Sequence, residues 1–130
     1  MKKTGLFLVA SMLIGLATFA QKTEVLYFKA DLACCQARAC NALEGDVKAV
    51  VEKNFNGETV VFKEIKLADP NNKELIEKYN AKSQTVVIVT HKKKKETFVD
   101  VTDIVRNYSR FKNKEELEKN FVAKINESMK

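Results

Sequence analysis

Residues 85–102 read TVVIVTHKKKKETFVDVT, and no other stretch says as much about the fold. The first six residues are apolar or β-branched without a polar alternation. Such a run suits a strand buried on both faces at the centre of a sheet. Residues 96–102, ETFVDVT, read as a further strand. Only the five residues HKKKK (91–95) separate the two, a length that joins antiparallel neighbours in a hairpin.

Working upstream, KELIEKYN (73–80) reads as a short helix with Leu75, Ile76 and Tyr79 facing inward. Pro70 with Asn71 or Asn72 supplies its start signal. ETVVFKEIKL (58–67) is a strand. Before it lies a helix whose apolar positions, counted from Cys40, are Leu43, Val47, Val50 and Val51, all on one face. FNG (55–57) ends that helix, with Gly57 expected as a left-handed stop. TEVLYFKA (23–30) reads as the first strand. Downstream, a last helix is expected to start near Asn113. Glu116, three residues later, completes a capping box, and Leu117, Phe121 and Ile125 form the inner face.

The order is therefore β-α-β-α-β-β-α in one domain, without internal repeats or low-complexity linkers. The first three strands, joined through helices, are expected to run parallel and the fourth to turn back. Right-handed crossovers leave few topologies for such a chain. The order matches an α/β thioredoxin-like fold: a central mixed four-stranded sheet flanked by helices.

The first twenty residues stand apart. Lys2 and Lys3 precede an apolar run from Gly5 to about Leu16, followed by small residues around Thr18 and Ala20. Basic, then apolar, then small is the order of a secretory signal peptide. The run is short for a spanning helix, so an uncleaved anchor is the alternative. Cleavage is expected after Ala20, leaving residues 21–130 as one domain in the periplasm or outside the cell, free of the membrane. The full chain carries a formal charge of +6, and loss of Lys2 and Lys3 leaves +4. The lysines are scattered without an aromatic ladder or groove motif, so nucleic acid is not an expected partner. They read as a solvated surface.

All three cysteines lie in DLACCQARACNALE (31–44): Cys34, Cys35 and Cys40. Outside the cytosol a disulfide persists, and an odd count leaves one thiol over for a partner, a metal or chemistry. A cysteine at a helix N-terminus meets unpaired N–H groups and the positive end of the helix dipole. Both favour the thiolate, which is the nucleophile of disulfide exchange. Cys34 and Cys35 are expected in the loop before the helix. Cys40, on the stripe with Leu43 and Val47, is expected to be sheltered and to resolve a disulfide with one of them. Arg38 would favour a thiolate further if it pointed at the sulfurs. The same thiols could instead form a passive disulfide or hold a soft metal or metalloid ion. His91, the only histidine, lies on a different connection and reads as a solvated turn residue. The sequons at Asn107 and Asn126 are short enough to arise by chance.

The chain resembles the small exported thioredoxin-like proteins of the ArsF family, also called nitrophenyl compound nitroreductase subunits. The matching features are LYF (26–28), CNALE (40–44), EKYNAKSQTVVIV (77–89) and DVTD (100–103). The family pattern has Cys-x-x-Cys before the helix. Counted forward from LYF, Cys34 falls on its first cysteine; counted backward from NALE, Cys40 falls on its second. The resemblance thus implies a widened Cys-x5-Cys spacing with Cys35 as an extra thiol. The cis-proline usual in thioredoxin-like enzymes has no counterpart; Thr85 stands at the best-matching position. Protein thiols or disulfides are the implied partners. Nitroreduction would need a hydride carrier such as a flavin. No glycine-rich dinucleotide fingerprint is present, so no cofactor is expected.

Overall fold

A computed structural model describes residues 21–31 and 35–130, and the side chains of all of these except residues 35–37. The expected signal peptide and Cys34 lie outside the described residues. The elements are β1 (Lys22–Lys29), α1 (Cys35–Asn54), β2 (Val60–Lys66), α2 (Lys73–Lys78), β3 (Val86–Lys92), β4 (Lys95–Asp100), α3 (Thr102–Phe111) and α4 (Lys114–Ser128). They form a mixed four-stranded sheet in the order β2-β1-β3-β4 with helices against both faces.

Side-chain alternation along β1 sorts the core into two layers. Val25 and Tyr27 point to one face, where they meet Val60, Val86 and Ile88 beneath Leu43 and Val47 of α1, Val105 of α3 and Phe121 of α4. Leu26 and Phe28 point to the other, where Ile65, Val87 and Val89 meet Tyr79, with Leu75 and Ile76 of α2 packed against them. A strand covered on both sides must be apolar at every position, which is why residues 86–90 carry no charge. All five are buried.

The strand directions correct one expectation. β1 and β2 are parallel, with Tyr27 opposite Glu64. β3 is antiparallel to β1, with Tyr27 opposite Val86 and Val25 opposite Ile88. α2 has six residues, ~9 Å of helix at 1.5 Å per residue. β3 has seven, ~23 Å at about 3.3 Å per residue. The helix is too short to return the chain along the sheet. The connection instead re-enters beside the C-terminal end of β1, where Phe28 N–H donates to Thr85 O and Gln84 N–H donates to Phe28 O.

Three local readings also change. β3 continues through His91 and Lys92, which pairs with Lys95, so the hairpin turn is only Lys93 and Lys94. Lys93 takes φ 48°, the left-handed conformation that tight hairpin turns require. The helix α3 was not foreseen. Its N-cap, Val101, offers no capping side chain; Asp100 Oδ1 accepts from Thr102 N–H one residue earlier. Lys112, at φ 55°, then separates α3 from α4. Gly57 is not left-handed. The end of α1 is closed by asparagines: Asn54 Nδ2 donates to Val50 O, and Asn56 Oδ1 accepts from Glu58 N–H. The last helix follows its sequence signals, with Asn113 Oδ1 accepting from Glu116 N–H and Leu117, Phe121 and Ile125 buried.

Candidate functional site

The helix α1 begins at Cys35, so the loop before it is shorter than the sequence suggests. Cys40 accordingly lies in the second turn. It is buried, 8 % exposed, on the same stripe as Leu43 and Val47, and it is a free thiol. Arg38 is exposed. Cys35 and Cys40 are five residues apart on one helix. Regular helix geometry sets their Cα atoms ~8.7 Å apart and about 140° apart around the axis. A disulfide needs its Cα atoms within about 7 Å, so joining these two requires residues before Cys40 to leave the helix.

The loop before β3 supplies the group that faces the sulfur. After α2, Asn80 turns left-handed at φ 47°, and Ala81 N–H returns to Ile76 O. Thr85 Oγ1 accepts from Lys82 N–H while Thr85 N–H donates to Lys82 O. Between them Gln84 is held at φ 66°, a conformation uncommon for a residue with a side chain. The result is that Gln84 Nε2 donates to Cys40 Sγ at 2.9 Å. Thr85 is buried, and the peptide bonds of the described residues are all trans.

Beside Cys40, on the α1 face of the sheet, is a group of polar side chains. Glu44, one helical turn after Cys40, pairs with Lys29 at 2.9 Å. That hydrogen bond holds the Lys29 ammonium above its usual range. Glu44 also neighbours Glu64 of β2. That contact, then burial and like charge, pushes the Glu64 carboxyl up, as expected where two carboxylates compete for one proton. Tyr27 lies fully buried below them, and its hydroxyl has no hydrogen-bond partner. Burial first, then the negative charges available to Cys40 and Glu44, hold this phenol protonated well above its usual range.

Of the sequence-predicted thiols, then, the structure places Cys40 in a defined polar setting, places the backbone of Cys35 at the start of α1, and does not extend to Cys34. Tyr27, Lys29, Glu44, Glu64 and Gln84 were not singled out from the sequence. The spacing of Glu44 from Cys40 was a usable signal, since residues four apart share a helix face. Gln84 carried none.

His91 lies at the other end of β1, opposite Lys22, between Glu24 at 3.4 Å and Glu96 at 3.5 Å. Among the described residues no three His, Cys, Asp or Glu side chains converge as a metal site, and no helix is long and apolar enough to cross a membrane.

No protein-family model matches the chain, and no curated protein matches it. A solved structure described as that of a malarial protein is similar over 65 % of this chain and 91 % of its own. The identity is 22 % and the TM-score 0.38.

Proposed function

We propose that the chain is an exported thioredoxin-like protein that exchanges disulfides with the cysteines of other proteins. The observation that carries this reading is the free Cys40 thiol, sheltered on α1 and faced across the sheet end by Gln84. The four-stranded mixed sheet with helices on both faces supports the thioredoxin-like assignment.

In the exchange, a thiolate at Cys34 or Cys35 attacks one sulfur of a partner disulfide. A mixed disulfide forms, and the electron pair of the broken bond leaves on the second partner sulfur, which takes up a proton. Cys40 then loses its proton and attacks the sulfur of Cys34 or Cys35. The intramolecular disulfide forms, and the first partner sulfur departs and is protonated. Two thiols of this chain are oxidised and one partner disulfide is reduced; the reverse sequence oxidises a partner. Closure onto Cys35 unwinds the start of α1. Residues 1–20 direct export and are removed near Ala20, which intact mass of the secreted chain checks.

Capture of partners without reductant tests the reading. Cys40→Ser is expected to accumulate mixed disulfides, because the attacking thiol remains and the resolving one is gone. Cys35→Ser traps few if Cys35 attacks, and as many as wild type if Cys34 does. No capture by any single variant, with no reducible disulfide in wild type, would exclude exchange. In that case proton release on adding zinc or copper(I) would identify the three thiols as a soft-metal site.

A further inference from the structure

The sheet ends on one side in an open strand. β4 stands last in the order β2-β1-β3-β4, and no further strand covers it among the described residues. Backbone groups along such a strand alternate between its neighbour and the outside. Val101 N–H, just past β4, donates to Val86 O, so residues 95, 97 and 99 turn their backbone groups to β3. Glu96, Phe98 and Asp100 then present theirs outward. Phe98 is 54 % exposed, and its ring rests only on Tyr79, 5.1 Å away between centroids. An open edge is a template for another strand, and proteins commonly guard it with charged side chains. Here the guarding charges are engaged: Glu96 pairs with Lys78, and Asp100 Oδ1 accepts from Thr102 N–H.

We infer that a second copy of this chain pairs here, β4 antiparallel to β4 about a twofold axis, so that two four-stranded sheets join into one. With only residues 96, 98 and 100 facing outward, three registers overlap most of the strand. A twofold at Glu96 sets that carboxylate against its own copy. A twofold at Phe98 sets Glu96 against Asp100 of the second copy. Both oppose like charges, which destabilises a cross-strand pair. A twofold at Thr97 opposes none. It pairs the backbone of Glu96 with that of Phe98 in the second copy, and it sets Lys94 beside Asp100 of the second copy on both sides of the axis. The two Thr97 side chains then stand face to face. The two Phe98 rings become diagonal neighbours, a spacing that aromatic side chains bridge. The register at Thr97 is therefore the one with complementary charges, and it covers the ring that a single copy leaves exposed.

Cross-linking reads the register. In a chain carrying Cys34→Ser, Cys35→Ser and Cys40→Ser, one cysteine at a time is introduced as Thr97→Cys, Phe98→Cys or, at an exposed position of α4, Lys119→Cys. Covalent dimer is then followed under a mild oxidant. Residues opposed on the axis in a non-hydrogen-bonded pair have Cα atoms about 4.5 Å apart, within reach of a disulfide. Thr97→Cys should therefore link about tenfold faster than either of the others. The chain with its natural cysteines, fully reduced, should sediment as a dimer that dissociates on dilution. Faster linkage of Phe98→Cys overturns the proposed pairing. Equal rates for Thr97→Cys and Lys119→Cys, or a monomer at every concentration, overturn self-pairing and leave the edge to a strand of another protein. Neither measurement involves disulfide exchange with a partner, so the exchange reading is judged separately by the capture experiment.

Discussion

Gln84 Nε2 meets Cys40 Sγ at 2.9 Å across 44 residues of sequence, and it does so from a left-handed backbone. Two substitutions separate these features. Gln84→Ala keeps the strained backbone and loses the hydrogen bond, and should cost about 1 kcal/mol. Gln84→Gly loses the same bond but tolerates the conformation, so it should be the more stable of the two by about 0.5–1 kcal/mol. Both lose a donor to the Cys40 sulfur, so both should slow its alkylation near neutral pH. Urea denaturation beside alkylation kinetics reads the pair; a glycine variant less stable than the alanine one would mean that strain at residue 84 is not significant.

Ile88 is fully buried in β3 and packs with Val25, Val47 and Phe121 in the larger core layer. Ile88→Ala should therefore destabilise by about 2–5 kcal/mol, measured as a lower urea midpoint with an unchanged slope. A loss below about half a kcal/mol would contradict its central position.

Acid should weaken the fold through two carboxylates at the hairpin end. Burial opposes ionisation of Glu24, but Lys63 and His91 outweigh it and hold its carboxyl below the usual value of 4.5. Glu96 is lowered chiefly by its hydrogen bond with Lys78. Groups lowered on folding add stability above their unfolded pKa, and that stability disappears as pH falls through the folded value. Melting temperature should thus drop as pH is taken below 4.5, and less steeply in Glu24→Gln. Glu64 has the opposite sign. Its carboxyl is raised, so its contribution falls as pH rises past 4.5, and Glu64→Gln should melt higher than wild type at pH 7.

Tyr108 donates to Asp46 Oδ2 at 2.6 Å, joining α3 to α1. Burial and then this bond push the phenol up to about 12. Spectrophotometric titration at 295 nm should find Tyr108 ionising near that value in wild type. In Asp46→Ala it should ionise closer to 10, with lower stability at neutral pH. Unchanged titration would mean that Asp46 does not hold the hydroxyl.

The apolar periodicities gave away most of the frame. Residues 86–90, the stripe from Leu43 to Val51 and the face of Leu117, Phe121 and Ile125 all lie where their spacing predicts. Other features needed lengths or tertiary contacts. The direction of β3 follows from the shortness of α2, which periodicity does not measure. Helix α3 was hidden because its capping residue, Asp100, stands one position before the N-cap, inside what reads as strand. In the candidate site, Cys40 was legible from its stripe. Tyr27 was not, because in a strand buried on both faces nothing in the sequence distinguishes it from Leu26 or Phe28. Gln84 acts through a backbone angle that no residue type announces.

The Gln21 side chain donates to Met129 O at 2.7 Å, so the start of β1 and the end of α4 are fastened together. The eight residues of β1 then carry the chain ~26 Å to the end of the sheet where Gln84 covers Cys40. Whatever is joined ahead of Gln21 is therefore attached at the pole away from the sulfur. A tether there would limit how far the thiol could roam without standing between it and an incoming disulfide, and a tag or fusion partner should be placed at that pole.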